Sequence, residues 1–111
     1  EQVFEHELIT VTAPVPYQTI SSPLTISGEA RGFWFFEAVF PVELRDGNGE
    51  IVNIHFAQAE ESWMTEEFVP FSGTLEFDDQ PEGSTGTLIL RRDNASGLPE
   101  HDDSFSIPVT F

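Results

Sequence analysis

A chain of 111 residues with 39% hydrophobic and 13% aromatic content holds enough apolar mass for one packed core in one domain, residues 1–111, and is too apolar to be wholly disordered. Twenty Asp and Glu stand against four cations, all arginine (Arg31, Arg45, Arg91 and Arg92). The formal net charge of -16 repels nucleic acid and anionic membrane. Cysteine and lysine are absent. Their absence excludes disulfides, thiolate metal sites, cysteine nucleophiles, Schiff-base chemistry and the P-loop lysine.

Along the chain the pattern is period two. LITVT, from Leu8 to Thr12, reads as a short strand. The segment from Ala13 to Pro23 contains Pro14, Pro16 and Pro23, which cannot donate to a ladder, so it reads as an edge or connecting segment. Leu24, Ile26, Gly28 and Ala30 then share one face of a half-buried strand. After the aromatic run Phe33 to Phe36, the residues Phe36, Ala38, Phe40, Val42 and Leu44 have inward composition. DGNG, from Asp46 to Gly49, supplies the residues that a tight turn requires, so Glu50 to Ala59 should return as a hairpin partner with Val52, Ile54 and Phe56 inward. Glu60 to Phe68 breaks the alternation and reads as a crossover loop with one helical turn begun by Thr65. Phe71, Gly73, Leu75 and Phe77 form the next inward set, followed after a polar loop by Leu88 and Leu90. A second polar loop runs from Asp93 to Asp103, and Phe105, Ile107, Val109 and Phe111 end the chain on one face.

Seven or eight short strands with regular turn signals and no helical period describe an all-β protein, an antiparallel β-sandwich. No run approaches the roughly 18 apolar residues of a membrane span, so direct membrane insertion is not expected. EQVFEHELITV does not have the form of a signal peptide, so the sequence reads as a mature or trimmed segment, from which any export signal or anchor would have been removed.

SPLTISGEARGFWFFEAVFPVELRDGNGEIV, the tryptophan-containing crossover, STGTLILRRDNASG and the terminal SIPVTF together resemble the immunoglobulin-like domain associated with bacterial spore-germination and sporulation lipoproteins. The resemblance covers roughly Ile9 to Phe111. It implies an immunoglobulin-like sandwich that serves as an extracytoplasmic module of the bacterial envelope or cell surface. That family has no assigned catalytic residues to carry over.

The candidate sites are few. Trp34, beside Gly32, and Trp63, in the crossover, are the expected exposed rings for stacking on peptide side chains or sugars. Most of the other aromatic residues are expected in the core. Asp46, Asn48 and Glu50 alternate as oxygen donors, and Asp102 and Asp103 lie in the second polar loop. These are weak calcium candidates beside the plain reading of a hairpin turn and solvated loop charge, and no other cofactor is expected. His6, His55 and His101 have no zinc-ligand spacing, and there is no GxSxG elbow. The expected function is a non-enzymatic envelope module for protein interaction, assembly or spacing, including self-association through edge strands. The alternative is a carbohydrate-binding module for wall glycan.

Overall fold

The computed structural model describes residues 7–92 and 103–111. Seven strands form β1 (Ile9–Ala13), β2 (Leu24–Arg31), β3 (Val39–Asp46), β4 (Ile51–Ala59), β5 (Phe68–Leu75), β6 (Thr85–Arg91) and β7 (Ser104–Thr110). All strand pairs are antiparallel and make one sheet in the order β1-β2-β5-β4-β3-β6-β7. The proline-rich segment after β1 crosses to the far end of that sheet. There Tyr17 N–H donates to Pro108 O (2.7 Å), Ile20 N–H to Thr110 O (2.8 Å), and Thr110 N–H to Gln18 O (2.9 Å). By spanning from the β1 edge to the β7 edge, residues 17–20 nearly close the sheet on itself. The result is sandwich-like and agrees with the immunoglobulin-like reading, and it also covers the β7 edge.

Alternation places one side chain in two inside. Ile26 and Leu75 from β2 and β5 meet Phe40, Val42 and Leu44 from β3, Leu88 and Leu90 from β6, and Ile107 and Val109 from β7, all essentially without solvent exposure. Each such side chain contributes about 2 kcal/mol by leaving water. Phe40, Leu88 and Ile107 therefore lie where the sequence pattern puts them.

Two stretches depart from that pattern. The first is the aromatic run. Gly32–Trp34 is a 3-10 turn, the one helical turn among the described residues, and Thr65 begins none. Phe36 and Val39 then exchange backbone hydrogen bonds (2.9 and 3.2 Å) across Glu37 and Ala38, whose φ values are 51° and 69°. A two-residue loop with both φ positive is the type I′ hairpin turn, for which Asn-Gly is the favoured pair. Here Glu-Ala occupies it, which hides the turn from a reading by residue type. Phe36 is consequently half-exposed rather than inward, and alternation begins only at Val39. Replacing the pair (E37N/A38G) is expected to stabilise the protein by about 1–2 kcal/mol, because an L side chain in the left-handed region costs that order per residue. In a thermal melt this is a rise of about 4–8 °C, and an unchanged Tm would contradict the turn.

The second departure is β4. Asp46 N–H donates to Glu50 O (2.9 Å), so the hairpin loop is Gly47, Asn48 and Gly49, with Gly49 at φ 82°. This register sets Arg45 opposite Ile51, and unbroken pairing would set Leu44 opposite Val52 and turn Val52, Ile54 and Phe56 inward. Instead Leu44 pairs with Asn53, and Val52 is the extra residue of a β-bulge. One inserted residue exchanges the two faces of everything beyond it. Ala57 now lies inside opposite Phe40, whereas Ile54 and Phe56 face solvent with 45% and 50% exposure.

Candidate interaction site at the aromatic pole

The end of β2 builds an aromatic pole. Arg31 leaves the strand and Gly32 enters the 3-10 turn with its N–H donating to Glu67 O (3.1 Å). A Cβ at Gly32 would stand 1.9 Å from Thr65 O and 2.3 Å from Trp63 O. Only glycine lets the crossover loop, residues 60–67, lie directly on the turn.

Consecutive residues of a 3-10 turn point about 120° apart, so the aromatic run is divided rather than alternated. Trp34 and Phe35 go inside. Phe40 receives both, with ring centroids 6.4 Å from Trp34 and 5.3 Å from Phe35, and meets Phe71 at 5.0 Å on its other side, each pair edge-on. Trp34 is fully buried. It is therefore core, not the exposed stacking ring expected from its sequence neighbours, because the turn rotates it inward.

Phe33 and Phe36 go outside. Phe36 meets half-buried Trp63 with centroids 6.4 Å apart and planes at 73°. Met64, next in the crossover, is 78% exposed. The Arg31 guanidinium lies 4.1 Å from the centroid of the Phe68 ring and donates to Glu66 O (3.2 Å), and Arg92 lies 5.2 Å from the centroid of the Phe33 ring. Trp63 itself is half-buried and packs against the core as well as on Phe36, while Phe33 in the 3-10 turn, Met64 next in the loop and Phe68 at the start of β5 are the exposed apolar residues of the adjoining elements. Aromatic residues, Met and Arg are the types enriched at protein interfaces. The one sequence signal for these residues is a Trp-Met pair set among acidic residues in EESWMTEEF.

The turn residues behave differently. Asp46 Oδ1 accepts from Asn48 N–H (2.9 Å) and Glu50 N–H (3.1 Å), so this carboxylate organises the hairpin loop. Asp103 Oδ1 accepts from Ser104 N–H (2.8 Å), and Asp102, like all of residues 93–102, lies outside the described residues. Among the described residues no group of three His, Asp or Glu could hold a metal ion.

On the outer face of β3, Glu43 accepts from both neighbouring arginines. Arg91 Nε reaches Oε1 at 2.7 Å, and Arg45 Nε and Nη2 reach Oε2 at 3.1 and 3.0 Å. The Arg91 hydrogen bond, reinforced by Arg45 and by both positive charges, outweighs partial burial and holds the Glu43 carboxyl below its ordinary value of 4.5. A lowered folded-state value contributes stability above about pH 4.5, and that contribution disappears as pH falls through the folded value. Glu43→Gln is accordingly expected to cost about 1 kcal/mol at pH 7, with the difference from the parent closing in acid. Denaturant midpoints measured stepwise from pH 7 into acid follow it, and a gap that never narrows as the carboxyl protonates would contradict the ion pair. A carboxylate locked in this way is structural and not a general acid.

No helix of the described residues is long and apolar enough to cross a membrane. No curated protein and no solved structure matches the chain significantly. The profile of the immunoglobulin-like domain of bacterial spore germination matches residues 8–97, from the residue before β1 through β6 and on to residue 97. With the seven-stranded sandwich on which the aromatic pole is mounted, that match places the chain in the family of immunoglobulin-like domains of bacterial spore germination.

Proposed function

We propose that this domain is a non-enzymatic interaction module on the outer side of the bacterial envelope, docking a protein partner through the aromatic pole. The observation that carries this reading is the exposure of Phe36 against half-buried Trp63, with Phe33, Met64 and Phe68 also exposed on the adjoining turn, loop and strand, on a chain of net charge -16. Acidic surface over the domain keeps it soluble and opposes non-specific association; the pole shares that acidity through exposed Glu60, Glu61, Glu66 and Glu67, and stands out by its exposed apolar side chains and by the two arginines, Arg31 and Arg92, that lie over Phe68 and Phe33. Such rings bury large areas at little cost in side-chain entropy and serve as interface anchors. The extracytoplasmic assignment is supported by the family's link to spore germination.

The geometry favours protein over wall glycan. Sugar stacking uses an open, flat ring face, whereas Phe36 stands nearly edge-on to Trp63. The experiment compares the parent domain with a variant carrying F33S, F36S and M64S, probing each with solubilised envelope proteins and with soluble peptidoglycan fragments while following backbone amide shifts. Saturable, envelope-protein-dependent shifts at residues 33–36 and 63–68 that the variant loses are the expected result. Shifts at Trp63 caused by peptidoglycan alone would overturn it in favour of the glycan-binding reading.

A further inference from the structure

We propose that the surface between β4 and β5 is a binding groove for a neutral oligosaccharide, separate from the aromatic pole and independent of its reading. β5 pairs with β4 only at Gln58 and Ala59, opposite Ser72 and Phe71. Beyond that pair the strands stay close without a ladder: a Cβ at Gly73 would stand 3.1 Å from Phe56 O and 3.2 Å from Ala57 Cα, and Asn53 Nδ2 donates to the carbonyl of Glu76. Gly73 belongs to the lining of a groove of about 400 Å³. β4 lines it with His55, Phe56 and Gln58, β5 with Ser72 and Thr74, and β2 with Thr25, the ladder partner of Thr74. A depression of that volume is of the size that holds small ligands.

The lining has the chemistry of a partner for a neutral polyhydroxyl ligand. None of its described side chains is Asp, Glu, Lys or Arg, on a chain with 20 acidic residues. A cation or an anion thus finds no opposite charge in the groove. Thr25, Ser72 and Thr74 offer hydroxyls, Gln58 an amide and His55 an imidazole, and each of these groups both donates and accepts. Among the described residues none of the five side chains makes a hydrogen bond, so their capacity is open to a ligand. Sugar hydroxyls also donate and accept, which makes the two sets complementary.

Phe56 supplies the apolar part. The bulge at Val52 turns it outward, where it is 50% exposed, and among the described residues no other aromatic ring or guanidinium lies against it. The negative face of such a ring attracts the C–H groups of a sugar. At the pole, by contrast, Phe36 stands nearly edge-on to Trp63, and arginines lie over Phe33 and Phe68. An extended peptide is disfavoured in the groove, because the Gly73 backbone lies against Phe56 and Ala57 and leaves no ladder to extend.

The probes are two neutral trisaccharides, cellotriose and the trimer of N-acetylglucosamine, titrated at millimolar concentration into the 15N-labelled domain at about 0.15 M salt. A blocked, uncharged peptide of Ser and Val is the control. The expected result is saturable amide shifts at Thr25 and at residues 55–58 and 72–74 with at least one trisaccharide, none with the peptide, and Phe33 and Trp63 unmoved. Phe56→Ala, which removes the stacking ring, and T25V/T74V, which removes two hydroxyls, should each weaken binding about tenfold. All three side chains are exposed, so thermal stability should stay near that of the parent. No saturable shift with either trisaccharide, an equal response to the peptide, or parent-like binding by both variants would overturn the proposal. These outcomes leave the reading of the aromatic pole as it stands, since only sugar-induced shifts at residues 33–36 and 63–68 bear on it.

Discussion

Phe40→Ala is expected to be among the most destabilising single substitutions in the chain, at about 4 kcal/mol. Phe40 has no solvent exposure and sits at the junction of Trp34, Phe35 and Phe71, so truncation removes the ring on which three others pack. The neighbours that would have to collapse into the space are held by the 3-10 turn, its C-cap residue and β5, which limits relaxation. For a domain of this size the loss corresponds to a Tm lower by roughly 15–20 °C. Thermal unfolding followed by near-UV circular dichroism measures it. A shift of only a few degrees would mean that the aromatic junction is not the centre of the core. By contrast, Phe36→Ala at the pole should leave Tm nearly unchanged, because surface truncations usually alter stability by no more than about half a kcal/mol.

Gly32→Ala tests the link between fold and site. The added methyl would meet the backbone carbonyls of Thr65 and Trp63 at 1.9 and 2.3 Å, and neither is a flexible side-chain end that can step aside. The crossover loop must lift from the turn, breaking the Gly32 N–H to Glu67 O bond and separating Trp63 from Phe36. A cost of about 3 kcal/mol is expected. Because Trp63 moves with the loop, its fluorescence should shift to longer wavelength in the folded variant. Parent-like stability together with parent-like emission would show that the loop does not rest on Gly32. Phe40→Ala and Gly32→Ala therefore separate cleanly, the first removing core packing beneath the pole and the second detaching the loop that forms it.

The strands of this protein are legible because a half-buried strand must alternate, and β2, β3, β6 and β7 bury the residues that alternation selects. Leu24 and Ile26, Phe40 to Leu44, Leu88 and Leu90, and Ile107 and Val109 all follow it. The two failures share one physical cause, a local change of phase that composition does not announce. A single extra residue at Val52 inverts the faces of Ile54 and Phe56, although their spacing is that of one strand face. A 3-10 turn followed by a Glu-Ala type I′ turn divided the aromatic run, sending Trp34 inward and Phe36 outward against a period-two reading. The pole was partly legible through Trp63 alone. Its other members come from β2, the turn and β5, and only the tertiary fold brings Arg31, Phe33, Phe36 and Phe68 to the same end.

The division of the aromatic run between interior and pole is most directly tested by acrylamide quenching of single-tryptophan variants. In W63F, the remaining Trp34 should emit at short wavelength and resist quenching, as an indole sealed between Phe40 and the sheet must. In W34F, the half-buried Trp63 should be quenched readily and respond when a partner covers the pole. Efficient quenching of Trp34 would contradict the assignment, since a water-facing indole at that position cannot be part of the core that mounts the site.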